Sequence, residues 1–141
     1  MTTIAADARK GLMACDSMTS TADAWWPSTK VHRVADALIG GAGEAASIRQ
    51  FASWYADGQR LPKPKISDNF CALVLSREGL FYWASNLVPE PIERGFHAIG
   101  SGGNAALGAL LAGAQVKRAV EIATEVDTSS GGEVVLHKLK A

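Results

Sequence analysis

The sequence predicts an α+β layered fold, with antiparallel sheets carrying helices on their outer faces. Segments that read as strands and helices come in blocks, in the order strands, helix, strands, helices, strand, instead of alternating as βαβ units do. A hydrophobic content of 48% with 14 glycines suits a folded, tightly turned chain and argues against disorder. At 141 residues the length fits one domain around one substantial core, spanning residues 1–141.

The first sixteen residues, MTTIAADARKGLMACD, open the chain as a hairpin. A small-residue run from Thr2 to Ala8 meets a turn at Arg9-Lys10-Gly11, and a second run extends from Leu12 to Thr19. Thr19 to Ser28 reads as a polar connection in which Pro27 stops regular structure and Trp25 and Trp26 pack on a loop or at a subunit contact. Lys30 to Arg33 and Val34 to Ile39 form a second hairpin. It ends in Gly40-Gly41-Ala42-Gly43, a cluster that marks close backbone approach or a sharp strand-to-helix turn.

Glu44 to Tyr55 places Ala45, Ile48, Phe51, Ala52 and Tyr55 at helical spacing, so an amphipathic helix is expected, ended by Gly58. Gln59 to Ser67 has LPKPK at its centre and cannot be a continuous helix. From Phe70 the pattern changes to strands. CALVLS, a turn at Arg77-Glu78-Gly79 and LFYWAS read as a buried hairpin, PEP as a loop, and FHAIG as a third strand. Asn104 to Ala112 is an Ala/Leu helix, and Val116 to Val126 a second with Val116, Ala119, Val120, Ala123 and Val126 on one face. A polar turn, Asp127 to Gly132, precedes the last strand, Glu133 to Leu139.

Fourteen Lys+Arg balance fourteen Asp+Glu, so no strong field points toward nucleic acid or an anionic membrane, and neither is expected as a partner. No apolar run approaches a membrane span, and the N-terminus lacks a signal pattern, which makes the cytoplasm the expected location. Cys15 and Cys71 lie in apolar runs and read as buried free thiols. His32, His97 and His137 have no metal-ligand spacing, so neither a metal nor a cofactor is expected.

Thr2 carries the chemistry of most interest. If Met1 is removed, Thr2 offers a hydroxyl and a free α-amine on one residue, a nucleophile and a candidate base. An α-amine with a pKa near 8 is partly neutral at pH 7 and can accept the hydroxyl proton, so no histidine is required. Placed on the first strand of a hairpin, such a terminus would be held in a sheet.

Six stretches then fall in a familiar order: TTI at Thr2 to Ile4, CDSMTS at Cys15 to Ser20, KVHRV at Lys30 to Val34, GGAGEA at Gly40 to Ala45, AIGSGG at Ala98 to Gly103, and ATEVDTSSGG at Ala123 to Gly132. Together they resemble proteasome β-type subunits, most nearly the self-compartmentalising bacterial peptidase of the heat-shock-locus V type, with a tail similar to the 20S proteasome β pattern. The resemblance covers nearly the whole chain. It implies an N-terminal-nucleophile (Ntn) hydrolase, a four-layer αββα sandwich of two antiparallel sheets, and assembly as a homo-oligomeric ring.

The same resemblance assigns roles by position. Thr2 is the expected nucleophile of a threonine endopeptidase acting on peptide or unfolded protein, with Asp16 and Lys30 as the carboxylate and ammonium beside it. Ser101, Asp127 and Ser130 are expected to hold the terminal amine. Gly40 is expected to donate its amide to the tetrahedral intermediate, and Ser20 and Ala42 to pair with substrate backbone. Met18, Thr19, Ser28, His32, Leu38 and Ala42 would shape the primary specificity pocket. Two other functions fit such a fold, a non-catalytic assembly subunit and an amidohydrolase for small amides; the filled polar positions favour catalysis.

One departure stands out. The family has a second helix before the strand that starts near Phe70, and this chain has only the PKPK segment, so the helical layer is reduced. That region is where an ATPase unfoldase cap docks in the family, and the loss of a helix leaves apolar surface needing another cover.

Overall fold

The computed structural model describes Thr2 to Lys140; Met1, whose removal is expected above, and Ala141 lie outside the described residues. In chain order the elements are β1 (Thr3–Asp7), β2 (Leu12–Cys15), β3 (Met18–Ser20), β4 (Trp25–Pro27), β5 (Val31–Val34), β6 (Ala37–Ala42), α1 (Ala45–Ala56), β7 (Cys71–Ser76), β8 (Gly79–Ala84), β9 (Pro89–Pro91), β10 (Phe96–Gly100), α2 (Gly103–Leu111), α3 (Val116–Val126) and β11 (Val135–Lys138). Strands β10-β1-β2-β11 form one sheet and β5-β6-β7-β8-β9 the other, every pair antiparallel; β3 and β4 form a separate small hairpin.

The period of two along each strand divides the apolar residues between layers. Ile4, Ala6, Met13 and Cys15 of the first sheet meet Leu38, Leu73 and Leu75 of the second in a central core. Ala5 and Ala14 point the other way, and their small size lets α2 and α3 pack close through Ala106, Ala119, Val120 and Ala123. Behind the second sheet, Phe51 and Trp54 of α1 pack on Ile39, Val74 and Trp83, with the Phe51 and Trp83 ring centroids 5.1 Å apart. The outcome is the expected four-layer αββα sandwich, with one helix in its outer layer.

The coil after α1 lies along that helix. Trp54 Nε1 donates to Leu61 O at 2.9 Å, Ser67 N donates to Ser47 Oγ at 3.0 Å, and Ile66 packs onto the α1-side core. These ties explain why the buried stripe of α1 is Ser47, Phe51 and Trp54, while Ala45, on the expected face, is exposed.

Four local features differ from the sequence reading, each for a physical reason. The first hairpin stops at Cys15 because the Asp16 carboxylate turns inward to accept Thr3 N–H. Residues 18–27 form a hairpin where a loop was expected, and Pro27 is tolerated at its edge, opposite Met18. PEP is itself a strand on β8, and FHAIG lies in the other sheet, pairing with β1 from Thr3↔Gly100 to Asp7↔Phe96. Gly40 and Gly41 sit within β6 instead of ending it. A Cβ on Gly40 would lie 2.8 Å from Ile4 Cγ2 in the facing sheet, and one on Gly41 2.7 Å from Ile48 Cγ2 of α1. No helix among the described residues is long and apolar enough to cross a membrane.

Candidate active site

The ends of β1, β2 and β10 bring the predicted residues together. Gly100 closes β10 with φ +96°, and a Cβ there would lie 2.0 Å from Thr2 O, so the chain must be glycine to pass this close to the N-terminal strand. The next residue, Ser101, then reaches Thr2: Thr2 N donates to Ser101 Oγ at 3.3 Å, and Ser101 Oγ donates to Asp127 Oδ2 at 2.6 Å.

Asp127 follows the last turn of α3 and gathers three donors. Besides Ser101, it accepts from Ser130 Oγ at 2.5 Å and from Ser129 N at 3.2 Å. Burial works to raise its pKa, but the bonds from Ser101, Ser130 and Ser129 outweigh it and hold the carboxyl below its ordinary value. Because the Ser130 proton goes to a carboxylate, the 2.7 Å contact between Thr3 Oγ1 and Ser130 Oγ has Thr3 as donor. The order Thr3, Ser130, Asp127, Ser101, Thr2 N is therefore a continuous hydrogen-bonded path.

Lys30 and Asp16 form the second group. Lys30 Nζ lies 2.9 and 3.0 Å from the two Asp16 oxygens, and both side chains are buried, at 8% and 0% exposure. Asp16 also accepts from Thr3 N at 3.0 Å and Gly131 N at 3.1 Å, so its lone pairs are satisfied inside the protein. An ion pair this deep is kept only where such additional bonds exist.

Thr2, Lys30 and Ser101 open onto one cavity of about 770 Å³, walled also by Trp26, Ile48 and Ala42. Of the residues expected to shape the specificity pocket, Thr19, Ser28, His32 and Ala42 line it, and the Thr19 and Ser28 hydroxyls are hydrogen bonded to each other. Two do not. Leu38 is fully buried in the core between the sheets, and the Met18 sulfur packs beside Gly131. Gly40 is also absent from the wall, in a strand paired on both sides with Val31 and Leu73, whereas Gly41 reaches it. Ser20 is exposed at the end of β3, outside the lining.

Thr3 and Gly131 are parts of this site that the sequence reading did not single out. Thr3 had a visible signal, since in an alternating strand that exposes residue 2 at a site, residue 3 turns inward. Gly131 acts through a backbone N–H, which no side-chain pattern reveals. The cysteines are not activated: burial, and then the Asp16 charge, pushes the Cys15 thiol up to about 11, and burial also raises Cys71. Among the described residues no three His, Cys, Asp or Glu side chains gather in a way that could hold a metal ion.

No protein-family model and no curated protein matches the chain. Solved structures do. Eukaryotic HslV from Trypanosoma brucei superposes with a TM-score of 0.74 at 21% identity, over 99% of each chain. Thiobacillus denitrificans BPH in complex with epoxomicin gives a TM-score of 0.73 at 20% identity, over 99% of this chain and 100% of the other. A second structure of Thiobacillus denitrificans BPH gives 0.72 at 20% identity, over 98% of both chains. The chain thus has the αββα sandwich fold of HslV.

Proposed function

From this fold and the Thr2 cavity we propose that the chain is a threonine-type peptidase whose Thr2, freed by removal of Met1, attacks peptide bonds. The observation that carries the reading is the placement of Thr2 N on Ser101 Oγ at 3.3 Å, with Ser101 on Asp127 at 2.6 Å, beside the cavity that Lys30 also reaches. The free amine accepts the Thr2 hydroxyl proton, and Oγ adds to the carbonyl carbon. Collapse of the tetrahedral intermediate breaks the C–N bond, the departing nitrogen takes the proton, and water then hydrolyses the Thr2 ester. Lys30 supplies positive potential that favours the neutral amine and the developing charge on Oγ, while Asp16 fixes its position. Ser101, Asp127 and Ser130 orient the amine. Ala42 on the cavity wall and Ser20 on the neighbouring hairpin are the substrate-backbone contacts in this reading.

An electrophile that needs both a hydroxyl and a free α-amine on one residue tests the reading. It should add one mass equivalent, recovered after digestion on a peptide beginning at Thr2. A peptide-hydrolysing preparation that carries the label elsewhere, or none, would contradict Thr2 as nucleophile; no label and no hydrolysis would favour a non-catalytic assembly role.

We further propose that the chain works as a homo-oligomer. Trp25, Leu111 and Val126 are 61, 62 and 70% exposed, large apolar side chains that a second copy would cover. Sedimentation at micromolar concentration should give a defined multimer, and a clean monomer would remove the ring from the account.

A further inference from the structure

The cavity at Thr2 has one wall on α1, where Ala45, Ile48 and Arg49 share a face at i, i+3 and i+4 spacing. That face lies away from the buried stripe of Ser47, Phe51 and Trp54, so Arg49 is exposed and borders the open space.

Charges around this cavity do not cancel. Lys30 is matched by Asp16, whose two oxygens its Nζ reaches at 2.9 and 3.0 Å. The Thr2 nitrogen is linked through Ser101 to Asp127. Burial raises the Cys71 pKa and keeps that thiol protonated, and His32 carries no negative charge in either of its forms. Arg49 is left over: its guanidinium makes no hydrogen bond or ion pair with any described residue, and no carboxylate lines the cavity. Glu44 and Asp68 adjoin lining residues in sequence but do not line it themselves, and Glu44 already accepts from Ser47 Oγ at 3.1 Å. Arg49 also borders the cleft between α1 and the coil at Leu61, Pro62 and Pro64, which has no acidic lining residue either.

An arginine fork matches the geometry of a carboxylate and stays charged. Asn69 adds a second donor to the same wall, because its Oδ1 already accepts from Glu44 N at 3.4 Å and Ser67 Oγ at 2.9 Å, which leaves its NH2 group. Ala42, Ile48 and Trp26 supply apolar surface for the methylene stem of a side chain. We propose that Arg49 selects peptides with an acidic side chain at the bond cleaved, so that Thr2 Oγ attacks the carbonyl of a glutamate or aspartate whose carboxylate lies on Arg49. This rests on the peptidase reading above and adds its substrate class. Arg49 moves no proton; it discriminates, and a lysine or arginine side chain in the same place would meet unmatched positive charge.

The test compares two N-acetylated tetrapeptides that end in a fluorogenic amide and differ only in the last residue, Glu or Gln. In the chain trimmed to Thr2, kcat/KM for the Glu peptide should exceed that for the Gln peptide about fivefold, the effect of one ion pair at a partly solvated rim. The ratio should shrink as salt is raised. Arg49→Gln should bring it to unity, Arg49→Lys should keep most of it, and Arg49→Glu should reverse it; each ratio is internal to one protein, so a change in folding does not mimic the result. Calorimetric binding of the same peptides to the Thr2→Ala chain reads the preference without turnover. Equal handling of the two peptides, or a preference that survives Arg49→Gln, would overturn the proposal while Thr2-dependent hydrolysis stands. A Glu preference in binding, lost in Arg49→Gln, in a protein whose Thr2 form hydrolyses neither peptide would reject the peptidase reading and Arg49's part in cleavage, and would leave a carboxylate-binding cavity. Neither binding nor hydrolysis of either peptide would overturn both.

Discussion

Thr2→Ala is expected to abolish peptide hydrolysis, by on the order of 10⁶ in kcat as for removal of other nucleophiles, with the chain still folded. Thr2 is only partly buried, and replacing it costs little packing, so the denaturation midpoint should move by less than ~0.5 kcal/mol in stability terms. Thr3→Ala provides the contrast. Thr3 is fully buried and its hydroxyl donates to Ser130, so its loss should cost about 1–2 kcal/mol of stability. Most activity should survive it, because Ser130 still donates to Asp127 and Ser101 still holds Thr2 N. Equal loss of turnover in the two variants would reject the assignment of the nucleophile.

The Lys30–Asp16 pair should show the second large effect, on stability and rate together. Lys30→Met leaves the Asp16 carboxylate buried without its cation, a change that costs about 3–5 kcal/mol in comparable pairs. Asp16→Asn strands the ammonium in the same way and withdraws a charged acceptor from Thr3 N and Gly131 N. The double variant, Lys30→Met with Asp16→Asn, removes both charges and should regain much of the stability lost in either single one. Activity should stay low in all three, because the positive potential beside Thr2 is gone, a contribution worth several kcal/mol in water-poor sites. A double variant that recovered turnover along with stability would show the pair to be structural.

Much of this architecture was legible because the chain states its periodicities openly. The α3 limits, the β7–β8 hairpin and the β1–β2 turn follow from apolar spacing and glycine placement alone. What spacing could not supply was partner choice. FHAIG reads as a strand, but its pairing with β1 and not with β8 is decided by tertiary packing, and that pairing sets Ser101 beside Thr2. PEP reads as a loop because proline donates no ladder hydrogen bond, yet an edge position makes that loss harmless. The polar site residues were found by family order, since Asp127, Ser129 and Ser130 alone are what any helix-ending turn might contain. Gly40 meets a demand that the motif does not reveal. Its place in the family motif suggested chemistry, and the structure gives it a packing reason, the approach of Ile4 from the other sheet.

In the proposed mechanism the α-amine of Thr2 is the base. With a residue still attached, that nitrogen is an amide whose lone pair is delocalised into the peptide bond, and it cannot take a proton from Oγ. The most direct measurement compares peptide hydrolysis by two forms of the chain, one trimmed to Thr2 and verified by intact mass, the other keeping Met1 behind an extension that an aminopeptidase cannot remove. Turnover is expected in the trimmed form and none in the extended one, with Lys30, Ser101 and Asp127 present in both. Equal rates in the two forms would contradict it.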